Sequence, residues 1–485
     1  MKKVLFLTPP FFYARSPLIG PALLKSILQN KNTEVKIKDL NVDLWDSSFY
    51  FSYGKLWFHD TPFEDIYIYE ADEFSTFTKS ILIPEVYKEL DIFLDKWVQE
   101  IKEYNPDYIG FCFMSFSSIV ISNLLCYKLR KELPFATIII GGPTATSVEL
   151  SENEIKDFNF DYNNFDYLIK GEADITLDNL INKGKNIPKV CYGEPTDDLN
   201  SLPIPDYSDT EWNRYSDYFF KKPEELGVKR FYITGSRGCV RRCSFCNIPS
   251  LWPLFRIRDA QNLFKEIKSQ YENFGITNFY FTDSLINGNV KRHWELSLLL
   301  KEYYKERKIQ PFFFEGQYIC RTEKQTPHEY YKDISNAGFK LVKMGVESFS
   351  PKVRKDMNKA FRQKDLWHTL YQCTLNNIKV NFLLIVGWPT ETDEDFKFSL
   401  DFLTELSKYP EYNGCTNSFS ITTMYIYNDP DVPVFHQIEN YNISFDPDYP
   451  ANWKTHDGTN NKDIRFERAK IMHDHIKKLN LEKHD

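Results

Sequence analysis

Thr234-Gly-Ser-Arg-Gly-Cys239-Val-Arg-Arg-Cys243-Ser-Phe-Cys246-Asn-Ile-Pro249 is the stretch that decides how the chain is read. Phe231–Thr234 before it reads as a short buried strand, and Gly235 and Gly238 then break regular structure. Cys239, Cys243 and Cys246 follow at CxxxCxxC spacing. Three thiolates on one tight loop suit three irons of a 4Fe-4S cluster and leave the fourth open to an exchangeable ligand. A structural zinc is the competing reading, but such sites close with a fourth Cys or His. The nearest histidine downstream is His293, and the chain has no second CxxC pair.

This spacing, with Phe245 just before the last cysteine, resembles the radical S-adenosylmethionine (SAM) enzymes. The resemblance implies that the open iron chelates SAM and that reductive cleavage yields a 5′-deoxyadenosyl radical. It makes Cys239, Cys243 and Cys246 the metal ligands and the catalytic centre, and it places the Phe245 backbone beside adenine.

Downstream of Phe231, strand-like runs at 231–235, 278–282, 311–316, 341–346, 380–386 and 418–426 alternate with helical ones. Six βα units predict a partial barrel over 230–427, with its site at the carboxyl ends of the strands. Motifs fall at those ends: Asp283 after the second strand, Arg321 after the third, Glu347 after the fourth, and Gly387-Trp-Pro389-Thr after the fifth. Under the resemblance, Glu347 accepts hydrogen bonds from the ribose or ammonium of SAM and Asp283 contacts its methionine end. Gly387 and Pro389 wall the adenine, and Arg321 pairs with a carboxylate.

Residues 1–190 alternate in the same way and predict a doubly wound, Rossmann-like parallel sheet, whose ligands sit beyond the carboxyl ends of the strands. This segment resembles the cobalamin-binding domain that precedes many radical SAM barrels. The resemblance rests on Pro9-Pro10 after the first strand, Ser115 after the third, Gly141-Gly142 after the fourth and Gly171-Glu172 after the fifth. The DxHxxG motif that gives cobalt an axial histidine in cobalamin mutases is absent, and only His59 occurs in the first 292 residues. An aromatic, acidic insertion is expected at about 46–90, a linker at 191–229 and a C-terminal cap at 428–485, where His473 and His475 are expected at the surface.

Length and composition set bounds. A chain of 485 residues calls for two or three domains. A net charge of −8 argues against general nucleic-acid binding. The opening apolar run is too short for a signal peptide and no run approaches membrane length. An odd count of nine cysteines, three on a reducible cluster, fits a reducing cytoplasm. Within these bounds the resemblance implies a cobalamin-dependent radical SAM methyltransferase acting on an unactivated carbon, with an electron donor such as flavodoxin or ferredoxin. It acts on a small molecule or peptide that the sequence does not specify. Two alternatives keep the chassis: a cyclase or rearrangement enzyme, and an enzyme whose first domain no longer binds cobalamin.

Overall fold

Short apolar runs alternating with amphipathic stretches build two parallel sheets, one in each of two units. The computed structural model describes residues 1–10, 16–45, 84–147, 162–215, 230–359, 361–426, 432–444 and 452–482. The first unit runs through Tyr232 and the second from Ile233 to Asp485.

The first unit has six strands: β1 (Lys2–Thr8), β2 (Thr33–Asp39), β3 (Tyr108–Cys112), β4 (Thr137–Gly141), β5 (Tyr167–Lys170) and β6 (Val190–Tyr192). They lie in the order β2-β1-β3-β4-β5-β6 with every neighbouring pair parallel. The order reverses between β1 and β3, the place where doubly wound sheets open a crevice. Helices α1 (Ile19–Leu28), α2 (Leu40–Trp45), α3 (Pro84–Tyr104), α4 (Phe116–Glu132), α5 (Pro143–Ser147) and α6 (Asp174–Ile181) make the crossovers.

Two expectations change here. Residues 84–90 belong to α3 and not to an insertion, because Val86, Leu90, Leu94, Trp97 and Ile101 recur at helical spacing and enter the core. The Trp97 indole donates to Asp43 at 2.9 Å, fixing α3 to α2. The rest of the expected insertion, 46–83 with His59, lies outside the described residues. The expected linker is also partly domain: β6 adds a strand, and Tyr207 and Tyr215 are buried.

The second unit places β7 (Arg230–Ile233), β10 (Asn278–Phe281), β11 (Phe313–Tyr318), β12 (Phe339–Glu347), β13 (Lys379–Val386) and β14 (Thr416–Thr423) in sequential order in one six-stranded sheet. The pairings from β10 to β14 are parallel. A short antiparallel pair, β8 (Ser236–Arg237) with β9 (Arg256–Ile257), follows β7. Its helices are α7 (Ile248–Leu251), α8 (Ala260–Phe274), α9 (Val290–Arg307), α10 (His328–Asn336), α11 (Pro351–Asp356), α12 (Gln363–Leu375), α13 (Asp393–Ser407), a single turn at Pro410–Asn413, and the terminal α14 (Lys462–Lys478). β7 and β14 stand at opposite ends of the sheet order, as in a partial barrel.

The tail is integral to this unit. Val432, Val434, Ile443 and Trp453 share one buried cluster with Val353, Met357 and Trp388. His473 is buried, contrary to expectation, and His475 meets the Thr404 hydroxyl on α13 at 2.8 Å.

Candidate active site

The cysteine loop leaves the first barrel strand and is clasped at its neck. β8 and β9 pair across it, and the Arg258 N–H donates to the Gly235 carbonyl at 2.8 Å. Gly238 sits at φ 81°, where a Cβ would come within 2.5 Å of the Leu254 carbonyl oxygen, so the neck demands glycine.

Inside the neck the loop has almost no regular structure, yet its backbone is tied down. The Arg242 guanidinium donates to the Cys239 and Pro253 carbonyls at 3.3 and 2.9 Å, and Asn358 donates to the Arg242 carbonyl at 2.6 Å. The Ser244 N–H donates to the Met357 carbonyl at 3.0 Å. The Arg241 N–H points at the Cys239 sulfur at 3.4 Å.

Cys243 is buried, and Cys239 and Cys246 are half-buried. Burial pushes the Cys243 thiol up and that of Cys246 up to about 11, and the neighbouring sulfurs add to both shifts. The Lys359 ammonium opposes them. Among the described residues no three Cys, His, Asp or Glu side chains meet at one ligating point. The three sulfurs share a loop without converging. As a donor set they fit an iron–sulfur cluster: soft sulfur ligands, no nitrogen partner, and a buried cation beside them.

Glu347 closes β12 in a left-handed conformation, φ 64°, that a non-glycine residue rarely adopts. The β12–β13 register slips between Gly345 and Glu347, which re-aims the side chain. A Cβ on Gly345 would come within 2.5 Å of Glu347 Oε1. Backbone strain held in place by packing is a frequent mark of a functional position.

Lys359 donates to Glu347 Oε1 at 2.7 Å, with both groups buried. Its Nζ also lies 5.8 Å from the centroid of the Phe245 ring. Burial works against the ammonium, but Glu347 and the thiols of Cys243 and Cys246 outweigh it and hold the Lys359 pKa above the ordinary value. The bend after Glu347 is gripped by Arg354, which donates to the Ser348 and Phe349 carbonyls at 2.8 Å each. No sequence motif marks Lys359 or Arg354; both lie past Glu347 in a polar stretch that reads as an ordinary helical turn.

The other expected residues stand at the carboxyl ends of their strands, but three are used differently. Asp283 is buried and accepts from the Gly235 N–H at 2.6 Å, the Ser236 hydroxyl at 2.7 Å and Arg292 at 3.1 Å. It anchors the neck of the cysteine loop. Arg321 pairs with no carboxylate among the described residues; it donates to the Asn287 and Gly288 carbonyls at 2.9 and 3.1 Å. It lines an open cavity of about 660 Å³ with Trp294 and Leu298. Gly387, at φ 82°, presses against Arg465, whose Cγ would lie 2.2 Å from an added Cβ. The approach of the terminal helix by itself demands glycine here. Phe245 meets Trp388, the residue before Pro389, edge to face at 6.4 Å.

In the first unit the expected residues gather at the adjoining carboxyl ends of β1, β3, β4 and β5. Pro10 follows β1, and the Pro9 carbonyl beside it accepts from the Ser118 hydroxyl at 3.2 Å. Ser115 caps α4 by accepting from the Ser118 N–H. Gly141 ends β4, and Gly142, at φ 106°, lies against the Phe113 backbone, 2.6 Å from where a Cβ would sit. The Gly171 N–H donates to the Thr146 hydroxyl at 2.8 Å, while among the described residues nothing beyond its chain neighbours lies within 4 Å of where its Cβ would be. The Glu172 carboxylate is buried and accepts from the Thr196 N–H at 3.3 Å.

A partial barrel with a three-cysteine loop after its first strand, preceded in the chain by a doubly wound sheet, is the class this chain falls in. Residues 233–403 match the Radical SAM superfamily. It is similar to an uncharacterized methyltransferase of Pyrococcus horikoshii, 22% identical over 330 residues, 63% of this chain and 66% of that one. It is similar also to the hopanoid C-2 methylase of Rhodopseudomonas palustris, 27% identical over 299 residues, 59% of this chain and 51% of that one. The chain thus spans between half and two thirds of the length of these relatives.

Its fold is shared with the radical SAM methyltransferase TsrM of Kitasatospora setae, solved with cobalamin and a [4Fe-4S] cluster. The TM-score is 0.60 at 15% identity, over 92% of this chain and 80% of that one. The cobalamin-dependent radical enzyme OxsB aligns with a TM-score of 0.61 at 14% identity, over 91% of this chain and 55% of that one. Among the described residues no helix is long and apolar enough to cross a membrane.

Proposed function

We propose that this protein is a cobalamin-dependent radical SAM enzyme that methylates an unactivated carbon of a small molecule or peptide in the cytoplasm, with electrons from a flavodoxin- or ferredoxin-like donor. The observation that carries the reading is the pairing of the clasped three-cysteine loop with the strained, lysine-paired Glu347 at the carboxyl edge of one barrel. A structural metal site would need no such carboxylate. When bound, the cluster supplies the electron that cleaves SAM and cobalamin supplies the methyl carrier.

The chain's own residues bind and orient. Cys239, Cys243 and Cys246 hold the cluster on a loop whose neck Asp283 and Arg292 keep rigid. Lys359 engages one oxygen of Glu347, and the other is the acceptor for the SAM ammonium or ribose. The carboxyl edge of the first sheet, with Pro10, Ser115, Gly141, Gly142, Gly171 and Glu172, receives cobalamin without a histidine ligand. Gly171, whose Cβ position no described residue crowds, is the best placed of these for a close approach to a large ring.

The test is anaerobic reconstitution with iron, sulfide and cobalamin, followed by reduction in the presence of SAM. The expected products are 5′-deoxyadenosine and S-adenosylhomocysteine together, since methylation consumes SAM in both ways. 5′-Deoxyadenosine alone would shift the reading to a cyclase or rearrangement enzyme. Stoichiometric zinc in anaerobically purified protein, with no iron uptake, would overturn it.

A further inference from the structure

The turn Gly387–Glu391 leaves β13 at the edge where Glu347 stands, and it is closed by two bonds of its own. The Gly387 N–H donates to Glu391 Oε2 at 2.8 Å, and the Glu391 N–H donates to the Trp388 carbonyl at 2.8 Å. On one side α11 holds it, with Lys352 donating to the Thr390 carbonyl at 2.8 Å and the Thr390 hydroxyl donating to Asp356 at 2.6 Å; on the other it is held by the last part of the chain. Asn460 donates to the Gly387 carbonyl at 3.2 Å and to the Trp388 carbonyl at 3.0 Å. Arg468 donates to the Glu391 carbonyl and to its carboxylate, at 3.2 Å each, and reaches Asp393 at 2.7 Å.

Arg465 lays its methylene stem on Gly387 and its guanidinium 3.8 Å from the centroid of the Trp453 ring. That guanidinium also donates to Asn460 Oδ1 at 3.2 Å and to the Trp453 carbonyl at 3.1 Å. Arg465 and Arg468, three apart on α14, share a helix face. Glu391, Asn460, Arg465 and Arg468 are all buried.

Four buried polar side chains around one five-residue turn are a poor way to gain stability, because desolvating them offsets much of what their bonds return. They are an effective way to fix one geometry. The fixed turn carries Trp388, whose ring abuts Phe245 between Cys243 and Cys246.

We infer that the segment Trp453–Arg468 is part of the SAM site, a strut whose Asn460, Arg465 and Arg468 set the Gly387–Glu391 turn and, through Trp388, the Phe245 backbone that faces SAM. The inference rests on the function proposed above. These are positioning residues; they reach SAM only through the turn.

The experiment uses the full-length, cluster-loaded protein and reads two quantities, the SAM dissociation constant by equilibrium dialysis and the iron content per chain. Asn460→Ala and Arg468→Met are expected to weaken SAM binding about tenfold, equivalent to about 1.4 kcal/mol. Iron content should stay at the wild-type level, because no strut residue is a cluster ligand. Arg468→Lys, which keeps the charge and one donor for Glu391, is expected to recover part of the affinity. A general loosening of the fold would not produce that graded order.

If the variants bind SAM like the wild type with full iron content, the strut is overturned and the function stands. If the wild type holds its iron but binds no SAM, the function falls, and this inference with it. Should Arg468→Met fail to fold, Arg468→Lys still decides: unchanged affinity overturns the strut.

Discussion

The carboxyl edges of the two sheets invite comparison. Both are parallel sheets, and both present their marked residues just past the strand ends. At the barrel edge those positions are charged, buried and paired: Asp283 with Arg292, Glu347 with Lys359, Glu391 with Arg468. At the edge of the first sheet they are mostly small residues serving turns and caps, with Ser115 capping α4 and Gly142 making room for Phe113. Paired charges in a dry site fix directions, as chemistry on a small charged ligand requires. Small residues at turns leave space, as a large bound cofactor requires, but ordinary folding asks for the same residues.

The comparison breaks most visibly at the cysteines. Cys239→Ser, Cys243→Ser or Cys246→Ser is expected to reduce iron from about four per chain to near zero and abolish SAM cleavage. Iron analysis and electron paramagnetic resonance measure this. Cobalamin uptake by the first unit should survive, and its joint loss would mean that the two edges do not act independently.

Next in size is Lys359→Met, which leaves Glu347 buried without its cation. Orphaning one partner of a buried pair costs about 3–5 kcal/mol, so the urea midpoint of the barrel transition should fall accordingly. Replacing both partners, Lys359→Met with Glu347→Leu, should restore most of that stability while SAM binding stays lost. That split separates the pair's structural role from its ligand role.

Legibility in the sequence follows the same division. The cysteine loop was readable because its donors are neighbours in the chain, and the strands because burial on both faces makes them apolar runs. Helix α3 was hidden inside an acidic, aromatic stretch where its apolar face is diluted. The partners of the marked residues were not readable at all. Lys359 meets Glu347 across a turn and a short helix, and Arg468 reaches Glu391 from the far end of the chain. Long-range pairing of charges leaves no local pattern. Asp283, Arg321 and Gly387 were correctly marked as strand-end residues, but nothing local distinguishes a group that faces a ligand from one that braces the backbone.

The glycines sharpen the contrast within the first unit. Gly142→Ala forces a left-handed alanine against the Phe113 backbone and should destabilise the unit by about 2 kcal/mol or more. Gly171→Ala, at φ 75° with no described residue crowding the new Cβ, should lose only about 1 kcal/mol. Thermal unfolding with and without cobalamin tests them together. If Gly171→Ala lowers cobalamin affinity more than it lowers stability, the edge makes room for a ligand. If stability and affinity fall in step, its glycines serve the turns alone.

The last effect concerns acid, and it contrasts two single groups, His293 in the barrel and Asp39 in the first unit, which respond to it with opposite sign. His293 on α9 is buried against Phe339, its Nδ1 2.7 Å from the Tyr330 hydroxyl, and its Nε2 has no partner among the described residues. Burial, helped by the Arg292 charge, lowers its pKa from 6.5 to about 3. The folded barrel therefore keeps His293 neutral while the unfolded chain takes up a proton below about pH 6.5, and stability drains as pH falls, by about 1.4 kcal/mol per pH unit down to about 3. Glu391 acts against it in the same unit. Burial outweighs the Arg468 charge and raises its pKa to about 7, so its share of stability grows as pH falls from there toward the ordinary glutamate range. In the first unit no described residue is a histidine, and burial raises Asp39 to about 6, so its share of stability grows as pH falls from there toward the ordinary aspartate range, while Asp43, held low against its burial by Lys38 and Arg214, loses its share at lower pH. His293→Gln keeps a partner for Tyr330 and removes the titration. The difference in unfolding free energy between wild type and variant should therefore shift by about 2 kcal/mol between pH 6.5 and pH 5, the wild type losing more. A difference that does not change with pH would mean that His293 takes up its proton without unfolding the barrel, and that the contrast with Asp39 does not hold.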